Sequence, residues 1–381
     1  MLKAATSGSG AALSRMFITG VSPITMDDVT SGFNIGNNIS LLENINELLG
    51  LTSEEVREII NYYRDKGIIK EGEEDFHYNL MSAWYNKYKF SKRSDKRVFN
   101  TDMVLYYIDK LIATNRIPED IIDDNVKSDY KKLRHLLILN NKLNGNFNCL
   151  NEITSIGEIS AKLNKSFPVH KLLDRDNFVS LLFYLGLLTR KEIKEGEEYF
   201  HIPNLTVKHF YSEYLKEAYE DMDIFSIDVR KFTQLVIGMA YRGKWQEMFD
   251  YLSEQIKEQT KVRDYLNGEK MIHGFVLAYI NLTNVFTITS EYEANKGFAD
   301  IFIEPFFVNY PDARYSYLLE LKYISKSEYS EKKKNEKFQR AKEQIDKYIK
   351  DKNLKKENMQ TELKLLIVIF RDWELIVREE D

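Results

Sequence analysis

"GFADIFIEPFFVNYPDARYSYLLELKY" runs from Gly297 to Tyr323 and sets three charged residues inside two apolar strands. Asp300 opens the first strand, and Glu320 and Lys322 stand two apart near the end of the second. Burying an ionised group without a partner is expensive, so such runs normally exclude charge. Glu320 and Lys322 alternate with Leu319, Leu321 and Tyr323, which turns both to the same side of a sheet. Asp300 joins them if its strand is the neighbour, as in a meander. Taken singly, each of the three is as well explained by a solvated strand face. Together they form a chemical set. Two carboxylates and a backbone carbonyl offer the hard oxygen donors that Mg2+ or Mn2+ requires. A lysine beside them can orient or activate a water and balance charge at a phosphorane-like transition state.

The neighbouring segments give these strands a setting. "DYLNGEKMIHGFVLAYINLT" reads as a helix with Glu269 and His273 four apart on one face. His273 is read either as a partner of the acidic cluster or as a satisfied helix histidine. "NVFTITSEYE" is a strand ahead of the two already quoted, and "SEYSEKKKNEKFQRAKEQIDKYIKD" is a charged helix after them. "ELKLLIVIF" and "WELIVRE" are two further strands. The order defines an αβββαβ unit from Lys261 onward. From Lys322 to Lys356 there are thirteen Lys/Arg against six acids, which suits a nucleic-acid path or a solvated helix face.

The rest of the chain reads as mainly helical. "LTSEEVREIINYYRDKG" opens on a Thr/Ser start with acids in its first turn and closes on glycine. "TDMVLYYIDKLIATN" and "DYKKLRHLLILNNKL" carry helical patterns, and "RDNFVSLLFYLGLLTRKEI" is apolar enough for a core helix followed by a hairpin. "KEGEEDFH" at Lys70 and "KEGEEYFH" at Lys194 echo each other, and each is expected to be a hairpin turn. Near the start, "MFITGVSPI" reads as a buried strand, and "TSGSGAALS" lacks the lysine of a phosphate loop.

The 381 residues suffice for two or three domains, and 43% hydrophobic with 30% charged residues describes a globular chain. A single cysteine, Cys149, excludes an internal disulfide framework and a cysteine-based zinc site. No run approaches the roughly 18 apolar residues of a membrane span, and no signal-peptide core is present, so the expected location is cytoplasmic, without membrane partners. A net charge of -5 argues against indiscriminate phosphate binding over the whole surface. Any nucleic-acid contact requires a local basic patch.

The Asp300…Glu320-x-Lys322 pattern, with its order of elements, resembles the PD-(D/E)XK nuclease superfamily. That resemblance implies that Asp300, Glu320 and the Leu321 carbonyl hold Mg2+ or Mn2+ and that Lys322 positions the attacking water. It places Glu269 where the family carries an acid on its leading helix, as a metal-supporting residue, and Gln344 and Tyr348 on the helix facing the site. Ala299, not proline, precedes Asp300, a departure many members share. "FITGVSPITMDDVTSGFNI", "WYNKYKF", "VFNTDMVLYYI", "FVSLLFYLGLLT" and "IPNLTVKHFY" resemble bacterial AAA-ATPase-like proteins that end in such a nuclease domain. No G-x-x-x-x-G-K-[ST] occurs, so the ATPase part lacks its P-loop. "FITG" resembles a late strand of the ATPase core, with Thr19 at the former sensor position.

The resulting expectation is an α/β chain, α+β overall, with a helical ATPase-lid and winged-helix-like region ahead of a restriction-endonuclease-like αβββαβ domain. Its parts are an ATPase-core remnant over 1–60, a lid and winged-helix-like domain over 61–227, connecting helices over 228–260 and the nuclease domain over 261–381. The expected activity is metal-dependent nucleic-acid cleavage without ATP hydrolysis, with DNA favoured over RNA. A separate ATPase chain or a homo-oligomer is a candidate partner. The alternative is a non-catalytic nucleic-acid-binding or regulatory module, and carboxylate-dependent metal binding discriminates the two.

Overall fold

The computed structural model describes residues 24–25, 39–48, 50–140, 142–294, 297–348 and 360–380. The "FITG" strand and Thr19 lie outside the described residues. Two compact units are present: one formed by residues 1–123 and 158–204, the other by residues 124–157 and 205–381. Among the described residues, no helix is long and apolar enough to cross a membrane.

The first unit is built on short helices, two of which carry side-chain caps. Ser53–Asp65 begins at a reciprocal cap, in which Thr52 Oγ1 accepts from Glu55 N and Glu55 Oε2 accepts from Thr52 N. Thr101–Thr114 is capped by Asn100 and ends on left-handed Asn115. The apolar helix Arg175–Tyr184 is buried from Asn177 through Phe183, which fits its lack of a polar face. It leads into the hairpin Thr189–Lys194 and Glu197–His201, and Glu158–Ser160 completes a three-stranded sheet beside the second hairpin strand.

The echoed octapeptides adopt different structures. At the second, Glu195 (φ 52°) and Gly196 (φ 88°) are both left-handed and form a two-residue hairpin turn. At the first, only Gly72 is left-handed, its N–H donates to Glu74 Oε2, and the chain enters the helix Glu74–Tyr85. The expected hairpin at Lys70 is therefore corrected to a turn and helix start.

In the second unit, "DYKKLRHLLILNNKL" is likewise not one helix. Asp124–Lys131 is helical, Lys132–Leu137 tightens to a 3-10 turn, and Ile138–Leu139 pairs with Lys142–Leu143 across left-handed Asn140. The helices Gly145–Ile156, Leu205–Asp221, Val229–Arg242, Trp245–Glu258 and Glu269–Asn281 then accompany a five-stranded sheet. We call Glu269–Asn281 the leading helix. It crosses Gly145–Ile156 closely at Gly274, where an added Cβ would lie 2.6 Å from Asn151 Oδ1.

The sheet runs in chain order: Phe286–Ala294, Gly297–Pro305, Tyr315–Ile324, Glu362–Arg371 and Glu374–Glu380. Tyr315–Ile324 and Glu362–Arg371 are parallel, with the charged helix Glu331–Tyr348 between them in the chain, and the other neighbours are antiparallel. A parallel pair needs such a crossover. Leu366 through Phe370 are all buried, as expected of a strand covered on both faces. The charged helix lays Ala341, Ile345 and Tyr348 against Phe302, Leu318, Ile324, Ile367 and Ile369. The helices between 228 and 260 lie in this same unit, tied to the sheet by Tyr317 Oη donating to the Met239 carbonyl at 2.8 Å. Trp245 Nε1 also donates to Glu380 Oε2 at 2.8 Å. The compact unit therefore extends well before Lys261.

Candidate active site

Two neighbouring strands part company where the three charged residues stand. Ile301, Phe302 and Ile303 pair with Leu319, Leu318 and Tyr317. Beyond Ile301 the aspartate strand stays with Phe286–Ala294, whereas Tyr315–Ile324 stays with Glu362–Arg371 as far as Ile324. The backbone groups freed by this divergence must find partners, since unpaired buried amides and carbonyls are costly. Side chains supply them. Leu321 N donates to Asp300 Oδ2 at 2.9 Å, and Asp300 N donates to Glu320 Oε1 at 3.4 Å. The Leu321 carbonyl accepts from His273 Nε2 at 2.9 Å. A carbonyl can only accept, so Nε2 of His273 carries the hydrogen.

Lys322 lies within reach of both acids. Its Nζ is 2.9 Å from Asp300 Oδ2 and 2.6 Å from Glu320 Oε2. Glu320 has a fully buried side chain, at 0% exposure, and Lys322 and Asp300 are only slightly exposed. Burial first, and then the Asp300 carboxylate, push Glu320 up to about 8 against the pull of Lys322. Burial opposes the charge of Lys322, yet Asp300 and Glu320 outweigh it and hold the ammonium above its ordinary value. Tyr348 is pushed up to about 12 by burial and then by Glu320, while a hydrogen bond with Gln344 works the other way.

The structure thus brings together Asp300, Glu320 and Lys322, puts Leu321 at their junction, and places Tyr348 within their field with Gln344 beside it. Glu269 does not join the acids. It begins the leading helix one turn before His273, with its side chain 44% exposed and Lys337 Nζ 3.8 Å away. Among the described residues, no three His, Cys, Asp or Glu side chains converge to hold a metal. The Glu269 carboxylate lies near Lys337 at the surface, while His273, one turn on, reaches inward to Leu321.

Oxygen donors for a cation remain. Among the described residues, Glu320 Oε2 is buried near the lysine but accepts no hydrogen bond of acceptable geometry, and the two hydrogen bonds that Asp300 accepts fall on Oδ2. The Leu321 carbonyl has a second lone pair. This donor set fits a hard divalent ion.

Residues 267–380 match the PD-(D/E)XK nuclease superfamily. The chain carries a nuclease-superfamily domain there. Members of this superfamily generally use divalent metal ions. The match spans the leading helix, all five strands and the charged helix, and it includes every residue of the cluster. No curated protein and no solved structure matches the chain at significance. The bond from His273 to Leu321 had no sequence signal beyond the histidine's place on the leading helix.

Proposed function

We propose that the chain is a metal-dependent phosphodiesterase that cuts nucleic acid, DNA in preference to RNA. The observation that carries this reading is the meeting of Asp300, Glu320 and Lys322 where two strands diverge. Asp300, Glu320 and the Leu321 carbonyl hold Mg2+ or Mn2+, with His273 fixing the carbonyl from behind. The bound ion supplies Lewis-acid charge and lowers the pKa of water near the phosphate. Lys322 turns its ammonium to the attacking water and to the charge that develops on the phosphoryl oxygens. Gln344 and Tyr348 present an amide and a phenol to the scissile phosphate or hold Lys322 in place. Glu269, one turn before His273, supports the metal through water or binds a second ion. The quoted N-terminal segments support descent of the helical part from an AAA-like ATPase, and without a P-loop this sequence offers no cradle for ATP phosphates.

Cleavage of plasmid and single-stranded substrates with Mg2+ or Mn2+ tests the reading. Asp300→Asn or Glu320→Gln should weaken Mn2+ binding and abolish cleavage, since an amide is a poorer ligand for a hard cation. Lys322→Ala should keep the metal and lose cleavage by about 10²-fold or more. Equal cutting by wild type and Lys322→Ala would exclude this site. Failure of the wild type to bind Mn2+ would favour the non-catalytic module.

A further inference from the structure

The chain as a whole is acidic, yet "NKYKFSKRSDKR" from Asn86 to Arg97 holds six Lys/Arg and one acid. This stretch lies within the first unit, outside the nuclease-superfamily match. Tyr88 and Val98 bridge each other in both directions, at 3.1 and 2.9 Å, and close residues 89–97 into a loop. Lys87, at the threshold, and Lys92, Arg93 and Lys96 are exposed.

A flexible charged loop would signify little. This one is fastened along its backbone by buried side chains. Asn46, which is 1% exposed, accepts from Phe90 N and Ser91 N through Oδ1 and donates through Nδ2 to the Lys96 carbonyl. Thr189 Oγ1 accepts from Lys89 N at 2.7 Å and lies 3.2 Å from the Lys89 carbonyl, and Arg190 Nε donates to the Phe90 carbonyl at 2.7 Å. Ser91 and Ser94, both buried, turn their hydroxyls to Arg93 N and Lys96 N. Among the described residues, only Lys92 and Lys96 of the six cations are ion-paired, with Glu198 and Glu47. Arg97 is turned to the Lys87 carbonyl and His201, and Lys87, Lys89 and Arg93 are left unneutralised by acids within that set. Lys87 stands in the left-handed region at φ 79°, a conformation that costs a non-glycine residue about 1 kcal/mol or more.

We propose that the Lys87–Arg97 loop is a second nucleic-acid contact of this chain, binding the phosphate backbone of duplex DNA without reading bases. Cations on such a loop gain affinity by releasing counterions, and a backbone already held in place loses little loop entropy on binding. The loop offers no stacking platform for single strands: Tyr88 is buried and stacked with Phe90, whose ring meets Phe183 edge-on. The choice of DNA over an acidic protein rests on the nuclease reading.

The test is fluorescence anisotropy on a labelled random-sequence duplex, with the full chain in EDTA so that cleavage does not enter. The triple variant Lys87→Asn, Lys89→Gln, Arg93→Gln uses an asparagine that tolerates the left-handed backbone. It should bind at least tenfold more weakly, and its log affinity against log salt should be shallower by about 0.9 per lost contact. The charge-keeping variant Lys89→Arg, Arg93→Lys should bind as the wild type does. Unchanged affinity and salt slope in the triple variant would overturn the proposal, and so would equal loss in both variants. Loop-dependent binding of polyglutamate in place of duplex would also overturn it, in favour of an acidic protein partner. Loop-dependent duplex binding in a protein that cuts nothing would support this contact while removing the nuclease reading.

Discussion

His273 donates from Nε2 to the carbonyl of Leu321 at 2.9 Å and so ties the leading helix to the strand that carries Glu320 and Lys322. Neither partner is free to turn to water, because both are buried. His273→Ala should therefore leave a buried carbonyl unpaired, at about 1–3 kcal/mol. Urea unfolding of the metal-free protein measures this directly. A variant as stable as the wild type would mean that the carbonyl finds another donor.

The pH dependence of stability should carry the mark of Glu320. Burial and the Asp300 carboxylate raise it to about 8, so the folded chain binds this proton more tightly than the unfolded chain, whose glutamates titrate near about 4.3. That contribution is fully present below about pH 4 and is lost as pH rises through about 8. Lys322 is raised too, and its contribution persists until more alkaline pH, so it does not reverse the trend. Melting temperatures in EDTA should fall across this window more steeply for the wild type than for Glu320→Gln. Parallel curves would show that Glu320 is not the group responsible.

Removing the lysine should cost more than removing either acid. Lys322→Met leaves Asp300 and buried Glu320 without their shared cation, and breaking a buried pair costs about 3–5 kcal/mol. Protonation of Glu320 should keep the loss near the lower end of that range. Asp300→Asn retains an oxygen for Leu321 N and relieves carboxyl repulsion, so it should be close to neutral. Denaturant midpoints in EDTA that rank Asp300→Asn below Lys322→Met would contradict this account.

Alternation within one strand made Glu320 and Lys322 legible as a pair, and the succession of strands in a meander made Asp300 their neighbour. The partner of Leu321 was not legible, because it follows from where two strands diverge, which no local pattern records. Glu269 illustrates the converse. It shares a helix face with His273, and helical spacing alone does not record that the histidine meets Leu321 while the acid lies near Lys337. The hairpin at Ile138–Leu143 was hidden by its leucines, which read as helix until left-handed Asn140 turns the chain.

Gly274→Ala should destabilise the second unit despite replacing a helix glycine. The intrinsic gain is about 1 kcal/mol. Against it, the new methyl would meet the Asn151 side chain at 2.6 Å and the Asn151 carbonyl at 2.7 Å. Backbone cannot step aside as a flexible side chain can, and overpacking of this kind costs about 1–3 kcal/mol. A net loss of stability by thermal melting is expected, and Asn151→Gly should recover part of it in the double variant.

Glu195→Asn should stabilise the first unit by about 0.5–1 kcal/mol, since asparagine suits the left-handed position that precedes Gly196 in the hairpin turn. The same change at Glu71 should yield no such gain, because that residue is not left-handed. Paired melting curves of the two variants provide the comparison.

The ties on the basic loop also set a timescale. Lys89 N is held by Thr189, and Phe90 N and Ser91 N by Asn46, so these amides are bonded like strand amides while sitting in a loop. Their hydrogens should exchange with solvent only when the Thr189–Lys194 hairpin strand or the Asn46 turn opens. The cations would then wait for a phosphate already in position, and a loop that reads as surface by its charge would behave as core by its clock.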